Sequence, residues 1–217
     1  MSPLRILVTA GPTREPVDPV RFLSNRSSGK MGYALAKAAI AAGHRVTLVS
    51  GPVSLQPPSH CQFYFVETAA DMRTAVLEEA KRADIIIMAA AVADYQSVTI
   101  ARSKIKKERD YITLRLKKTP DILAELGHCK TSKQLLVGFA AETSHLLVYA
   151  KQKLKSKNLD FIIANRVGKG RDVGFESDDN QVILLDRNGH IHPFPCMDKK
   201  RLARRLIAQI LQTLYRA

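Results

Sequence analysis

The feature that most constrains the fold is a regular alternation between short, continuously apolar runs and longer segments with helical spacing. A run such as DIIIMAAAV (84–92) has no polar face, so both of its sides must be covered by other parts of the chain. Strands of this kind occur almost only in parallel sheets whose two faces are covered by helices. The predicted strands cover residues 4–11, 45–52, 84–92, 134–142 and 161–165, and the predicted helices cover residues 29–44, 69–83, 120–127, 145–160 and 198–217.

The alternation predicts an α/β fold, with a mostly parallel sheet covered by helices on both faces, and the length of the chain fits one large domain or a domain with an appendage. QVILLDRNGHIHPF (181–194) predicts a hairpin that turns at Asn188 and Gly189 and precedes the last helix. YITLRLKKT (111–119) alternates in polarity and predicts an exposed or edge strand. Residues 96–112 are polar, basic and weakly periodic, which is typical of a functional or a disordered loop.

Net charge leaves three classes of partner open. The chain carries 34 Lys and Arg against 20 Asp and Glu, a net charge of +14, which suits nucleic acid, an anionic membrane surface or a small polyphosphate. Aromatic residues are only 6% and Trp is absent, so stacking surfaces for single-stranded nucleic acid are poorly supplied. Many of these charges can also form a solvated surface. We therefore expect no nucleic-acid partner.

The cellular location is predicted from three features that the sequence lacks: a membrane span, a signal peptide and closely spaced cysteines. It has no apolar run of about 18 residues, the length that a membrane span needs, and its N-terminus lacks the layout of a signal peptide. Cys61, Cys129 and Cys196 are far apart in the sequence, without metal-ligand spacing, as expected for free thiols in a reducing compartment. We expect a cytoplasmic protein without a membrane partner.

The stretch SNRSSGKMG (24–32) stands between the first predicted strand and its helix. A strand, a turn and a helix N-terminus together present backbone N–H groups to an anion. The stretch contains neither a G-x-G-x-x-G fingerprint nor a Walker A loop. Ser27 and Ser28 either cap the helix or, with Gly29, bind a substrate. Asn25 carries a carboxamide that can donate to one oxygen and accept from another group, as an acyl-transfer site requires.

Two further segments can carry chemistry. AAAVADY (89–95) ends the third strand in small residues, which either let a planar ligand approach the backbone or let a helix pack closely. Asp94 can hold a ribose hydroxyl or a hydrated metal, or it is an ordinary loop residue. KIKK (104–107) lies in the basic loop, where a lysine can close over a polyphosphate or remain solvated.

Lys153 and Lys157 are four residues apart on a predicted helix and therefore share a face. Like charges at this spacing are mildly destabilising, so the pair suits a phosphate chain, although a solvated face explains it as well. Phe139 ends a predicted strand and is either a core side chain or a wall for a nucleotide base.

Six of these motifs, in this order over almost the whole chain, resemble the bacterial form of phosphopantothenoylcysteine synthetase. The motifs are VTAGPTREPVDPVRFLSNRSSGKMGYALA, AAVADY, KIKK, KTPDIL, VGFAAET and KQKLKSKNLDFIIAN. The resemblance implies a ligase of coenzyme A biosynthesis that joins 4′-phosphopantothenate to cysteine. It implies CTP as co-substrate, Mg²⁺ as cofactor and an acyl-cytidylate as the intermediate.

The resemblance also implies the architecture, a modified Rossmann-like sheet in a single domain over residues 1–217. Most bacterial members are fused behind a flavin-dependent decarboxylase, so the chain corresponds to the synthetase domain, either separate or fused to or partnered with a phosphopantothenoylcysteine decarboxylase, and no flavin is expected in it. The family works as a homodimer, and residues 96–112 correspond to its flap. The metal ligands are left open.

By position in the motifs, the resemblance implies that Asn25 and Lys104 are catalytic, Lys104 in forming the intermediate and Asn25 in consuming it. Ser27, Ser28 and Gly29 are expected to bind substrate together with Asn25. The expected nucleotide-binding residues are Met88, Ala89, Ala90, Asp94, Lys104, Pro120, Asp121, Ile122, Leu123, Phe139, Lys153 and Lys157.

Two other functions compete with this one. The α/β alternation also suits an NAD(P)-dependent reductase, but the glycine fingerprint is absent, and Tyr149 and Lys153 have no serine that can be placed beside them. A nucleic-acid binder is suggested by net charge alone.

Overall fold

The computed structural model describes residues 2–107, 110–167 and 177–214. In chain order the strands are β1 (Arg5–Ala10), β2 (Arg14–Pro16), β3 (Phe22–Ser24), β4 (Arg45–Ser50), β5 (Cys61–Phe65), β6 (Ile85–Met88), β7 (Tyr95–Ser97), β8 (Leu116–Lys118), β9 (Leu135–Glu142), β10 (Phe161–Arg166), β11 (Asp179–Asp186) and β12 (Ile191–Asp198). The helices are α1 (Lys30–Ala41), α2 (Ala69–Ala80), α3 (Ile122–Cys129), α4 (Leu146–Ser156) and α5 (Lys199–Leu214).

The central sheet has eight strands in the order β12-β11-β10-β9-β6-β1-β4-β5. The six strands from β10 to β5 are mutually parallel, and β11 and β12 add an antiparallel hairpin at one edge. Numbered along the chain, the parallel strands follow the order 3-2-1-4-5-6 from the β5 edge, which is the doubly wound order. The order reverses between β1 and β6, and a crevice for a ligand is expected outside the carboxyl ends of these two strands.

Helices cover both faces of this sheet, as the sequence predicted. Because side chains alternate along a strand, Ile6 and Val8 pack with α1 and α5, whereas Leu7 packs with α2, α3 and α4. Leu202, Leu206 and Ile210, whose four-residue spacing places them on one face of α5, are fully buried. Residues 215–217 of the predicted last helix lie outside the described residues.

The glycine in the first turn of α1 lets that helix approach β1 closely. A Cβ atom on Gly32 would lie 2.6 Å from the Cβ of Ala10 and 2.8 Å from the carbonyl oxygen of Thr9. The N-terminus of α1 is therefore held directly above the end of β1.

Two predicted elements differ from those observed. Of residues 111–119, predicted as an exposed or edge strand, β8 is the part that forms a strand; it is exposed and pairs with β7 in a separate hairpin. The third helix does not have Pro120 at its first position, because the carboxylate of Asp121 accepts a hydrogen bond from Ala124 N (3.0 Å) and makes Asp121 the N-cap. Strands β2, β3, β5 and β7 were not predicted. Within the described ranges, no helix has the length and apolar character that crossing a bilayer requires.

Candidate functional site

A cavity of about 720 Å³ opens at the carboxyl edge of the sheet, where the strand order reverses. It contains all the residues that the sequence predicted for the site except Lys104. The predicted residues that line it are Asn25, Ser27, Ser28, Gly29, Met88, Ala89, Ala90, Asp94, Pro120, Asp121, Ile122, Leu123, Phe139, Lys153 and Lys157.

The loops that follow β1 and β6 lie side by side beneath this cavity. Ala91 N donates to the carbonyl of Gly11 (2.9 Å), and Ala90 N donates to Oγ1 of Thr9 (3.0 Å). Ala93 N donates to Oγ1 of Thr13 (2.9 Å). Both threonine side chains belong to fully buried residues, so their hydroxyls fix the second loop against the first. Sequence reasoning missed this function of both threonines; for Thr9, a polar residue near the end of an apolar strand was the available signal.

Asn25 lies over the loop that follows β6. Its Nδ2 donates to the carbonyl oxygens of Ala91 (3.1 Å) and Val92 (3.0 Å). Both amide protons are therefore used within the protein, and Oδ1 is the atom of this carboxamide that can accept a hydrogen bond from a substrate.

The N-terminus of α1 faces the cavity without a capping side chain. The N-cap is Gly29, whose φ of 75° lies in the left-handed region, and no side chain caps the helix. The alternative in which Ser27 or Ser28 caps α1 is therefore wrong. Ser27 instead accepts a long hydrogen bond from Gly29 N (3.4 Å). The first N–H groups of α1 and the positive end of its dipole can bind an anion.

Two lysines of α4 reach the α3 side of the cavity. Lys153 Nζ donates to the carbonyl of Phe139 (2.8 Å), and Lys157 Nζ lies 2.8 Å from Oδ2 of Asp121. Burial lowers the pKa of Lys153, and the nearby charge of Lys157 lowers it further. Burial opposes the ionisation of Asp121, but the hydrogen bonds from Lys157 and Ala124 N hold its pKa below the usual value. This side of the cavity therefore carries two lysine side chains that are held in place by hydrogen bonds.

Lys104 is exposed and does not line the cavity. Its loop is held elsewhere, because Ile105 N donates to Oδ2 of Asp18 (3.1 Å) and Nη2 of Arg21 donates to the carbonyl of Ile105 (3.0 Å). The hydrogen bond from Arg21, which opposes the effect of burial, holds the pKa of Asp18 well below its usual range. Residues 108 and 109 of the predicted flap lie outside the described residues.

Four polar residues that the sequence analysis did not single out line the α1 and α5 side of the cavity: Lys30, Asn165, Asn180 and Lys199. Lys30 Nζ is 2.7 Å from Oδ1 of Asp178. Lys199 is buried, and its Nζ donates to the carbonyl of Ser177. Burial, followed by the charge of Lys30, lowers the pKa of Lys199 to about 8. The sequence signal was weak, since each residue stands at the end of a different element.

No cluster of three or more His, Cys, Asp or Glu side chains that could hold a metal occurs in residues 2–107, 110–167 and 177–214. The carboxylates on the cavity wall are Asp94 and Asp121, and Asp121 is paired with Lys157.

Comparisons with known proteins show which family the chain resembles and which solved structures share its fold. The family model of the DNA/pantothenate metabolism flavoprotein C-terminal domain matches residues 1–214. The coenzyme A biosynthesis bifunctional protein CoaBC of Bacillus subtilis (strain 168) is 50% identical over 206 residues, which cover 94% of this chain and 50% of that protein. The chain thus spans about half the length of the curated relatives it matches.

Two solved structures share the fold. The C-terminal domain of a coenzyme A biosynthesis bifunctional protein CoaBC is 41% identical, with a TM-score of 0.84 over 99% of this chain and 97% of that chain. A Cab2 mutant in complex with phosphopantothenate-cysteine has a TM-score of 0.78 at 19% identity, over 98% of this chain and 88% of that chain. At that identity the second likeness concerns the fold alone.

Proposed function

Since the chain belongs to the family of the DNA/pantothenate metabolism flavoprotein C-terminal domain, we propose that it is the phosphopantothenate–cysteine ligase of coenzyme A biosynthesis. The observation that carries the proposal is the convergence of Asn25, the N-terminus of α1, Lys153 and Lys157 on one cavity at the reversal of the strand order. The relatives are bifunctional proteins, so we also propose that the chain works with a phosphopantothenoylcysteine decarboxylase, fused or separate.

The proposed reaction has two steps, with CTP as the activating nucleotide. An oxygen of the 4′-phosphopantothenate carboxylate attacks the α-phosphorus of CTP, the bond to the β-phosphate breaks, and pyrophosphate leaves. The amine of cysteine then attacks the acyl carbon of the acyl-cytidylate, loses a proton and displaces CMP. The cavity suits the first step because a carboxylate and a triphosphate repel each other, and fixed cations offset that repulsion.

Different residues of the cavity are assigned to different parts of the substrates. Lys153 and Lys157 neutralise the nucleotide phosphates, and Phe139 forms a wall against the base. The N–H groups at Gly29 and in the first turn of α1 hold phosphate oxygens. Both amide protons of Asn25 already donate to the loop after β6, so its Oδ1 remains to accept a hydrogen bond. In the second step it accepts from the amine of cysteine.

Magnesium fits this cavity as an ion that arrives with the nucleotide. Mg²⁺ is commonly held by one or two carboxylates together with substrate phosphates, and Asp94 is the lining carboxylate that is not paired with Lys157. When bound, the ion supplies further neutralisation of the phosphate charge.

We also propose that the chain forms a homodimer. Large apolar side chains are exposed on the segment before α1 and on the β7–β8 hairpin with its loop. Exposed apolar surface of this kind marks a site of protein–protein contact. They are Val20, Phe22, Tyr95, Val98, Ile100, Tyr111, Ile112 and Leu116. Lys104 belongs to the same loop, so its proposed role in the first step requires that the loop leave the position set by Asp18 and Arg21, or that it reach the cavity of a partner.

The test is pyrophosphate release from CTP in the presence and absence of 4′-phosphopantothenate. Release that depends on the acid, followed by amide formation when cysteine is added, supports the proposal. In the Lys104→Gln variant, we expect release to be abolished. Consumption of NAD(P)H without pyrophosphate release would instead identify a reductase, and equal release with ATP or GTP would remove the preference for CTP.

A further inference from the structure

The α1 and α5 side of the cavity carries two lysines and two asparagines to which the proposed reaction has not yet given a role. We propose that Lys199 and Asn180, with Lys30 and Asn165, hold the β- and γ-phosphates of the nucleotide and then the pyrophosphate leaving group. This inference rests on the proposed function and adds binding residues to it. We call these four residues the polyphosphate cluster.

The pleat of the sheet places the two asparagines on one face. In β10, Asn165 is two residues after Ile163, and in β11, Asn180 is two residues before Val182, and both apolar residues belong to the core beneath α1 and α5. Asn165 and Asn180 are only 7% and 4% exposed, yet both line the cavity. The side chain of Asn165 makes no hydrogen bond with any described part of the chain. Among the described residues no buried side-chain polar atom lacks a partner, so the carboxamide of Asn165 is open to the cavity and is available to a ligand there.

The two lysines stand where a cation is electrostatically disfavoured in the empty protein. Lys30 and Lys199 are the first residues of α1 and α5, next to the positive ends of the two helix dipoles. Lys199 is 5% exposed and is close enough to Lys30 for the charge of Lys30 to lower its pKa. A bound anion would offset both repulsions, that between the two lysines and that between each lysine and its helix dipole. The cluster therefore favours a ligand with several negative charges, such as a polyphosphate.

Asp178 supports this assignment because its carboxylate lies close to the two lysines of the polyphosphate cluster. Its carboxylate pairs with Lys30 at 2.7 Å, and its side chain is 82% exposed. An exposed carboxylate beside two lysines acts as a counter-ion that a phosphate can replace. We therefore expect Asp178 to compete with the ligand.

The proposed step is balanced within the ligase reaction. As the carboxylate oxygen bonds to the α-phosphorus, the bond from that phosphorus to the bridging oxygen breaks, and the bridging oxygen leaves with the electron pair. Pyrophosphate gains this negative charge, and the ammonium group of Lys199 stabilises it. The amide groups of Asn165 and Asn180 donate hydrogen bonds to its oxygens.

The experiment compares Lys199→Met with Lys200→Met, which removes an exposed charge one residue further along the same helix. Binding of inorganic pyrophosphate, CTP and CMP to the full chain is measured by calorimetry. We expect Lys199→Met to weaken pyrophosphate and CTP by about tenfold or more, the loss of a hydrogen bond to a charged group, and to leave CMP within about twofold. Lys200→Met should bind all three ligands like the wild type.

Asp178→Asn gives an independent readout that does not depend on how the Lys199 variant folds. Removal of the competing carboxylate should tighten pyrophosphate binding about threefold or more, because a nearby negative charge is lost. Unchanged pyrophosphate binding in both Lys199→Met and Asp178→Asn, or an equal loss of CMP and CTP in Lys199→Met, would overturn the assignment. Failure of the proposed function is a different result, namely that the wild type releases no pyrophosphate in response to 4′-phosphopantothenate.

Discussion

The α3 side of the cavity gives the sharpest prediction for nucleotide affinity. Lys153→Met removes an ammonium that donates to the carbonyl of Phe139 and lines the cavity, while methionine retains much of the apolar stem. Lys155 is exposed on the same helix and provides the matched control, Lys155→Met. The two substitutions change the net charge by the same amount, so long-range electrostatics cannot separate them.

The magnitude follows from the contact that is lost. A hydrogen bond to a charged group contributes about 1.5–3 kcal/mol, and about 1.4 kcal/mol corresponds to a factor of ten in affinity. We therefore expect Lys153→Met to raise the Kd for CTP by about 10- to 100-fold. The unliganded protein should be no less stable than the wild type, because burial and Lys157 already disfavour the charged form of Lys153.

Thermal unfolding with and without CTP tests both expectations in one assay. At a CTP concentration of about 100 times the wild-type Kd, binding stabilises the wild type by about 2.7 kcal/mol, and a tenfold weaker variant retains about 1.4 kcal/mol of this. Lys155→Met should keep the full wild-type shift in Tm. Equal shifts in the two variants would refute the assignment of Lys153 to the nucleotide, and a large loss of Tm in unliganded Lys153→Met would show that its role is structural.

Four further predictions concern other parts of the molecule. Gly32→Ala should lower the free energy of unfolding by about 1–2 kcal/mol, since overpacking against Ala10 outweighs the gain in helix propensity; chemical denaturation measures this, and an unchanged midpoint would contradict it. Val98→Glu should convert the proposed dimer to monomer in sedimentation, whereas a wild type that is already monomeric would rule out the interface. Asn25→Asp should make some acyl-cytidylate but little amide in quench-flow, because a carboxylate cannot donate to the two carbonyls that fix Asn25; a normal amide yield would remove its role. The folded-state pKa of Lys199, about 8, lies below that of an unfolded lysine, so wild-type stability relative to Lys199→Met should rise as pH increases from about 8 to 10.

Sequence patterns determined the parts of the structure that depend on neighbours along the chain. Continuously apolar runs gave the parallel strands, and helical spacing gave the buried stripe of α5, because burial on one or both faces leaves a local period. β5 was missed because it lies at the sheet edge, where side chains such as Phe63 and Phe65 stay exposed and the apolar signal is broken by polar residues.

The site was predictable to the extent that its residues form recognisable motifs. The segments that contain Asn25, Asp94 and Lys153 resemble the family in sequence, and the structure places these three side chains around one cavity. Lys104 belongs to an equally recognisable motif but lies outside the cavity, because Asp18, far from it in sequence, holds the backbone of its loop.

Only the tertiary structure decided the strand order and therefore the position of the cavity. The reversal between β1 and β6 depends on which strands pair across long separations in sequence, and no local pattern records that choice. The same pairing brings Asn165, Asn180 and Lys199 to the N-terminus of α1, although each resembles an ordinary polar residue at the end of an element. Periodicity fixes which face of an element is buried, whereas the assembly of a charged site requires elements distant in sequence to end at the same edge of one sheet.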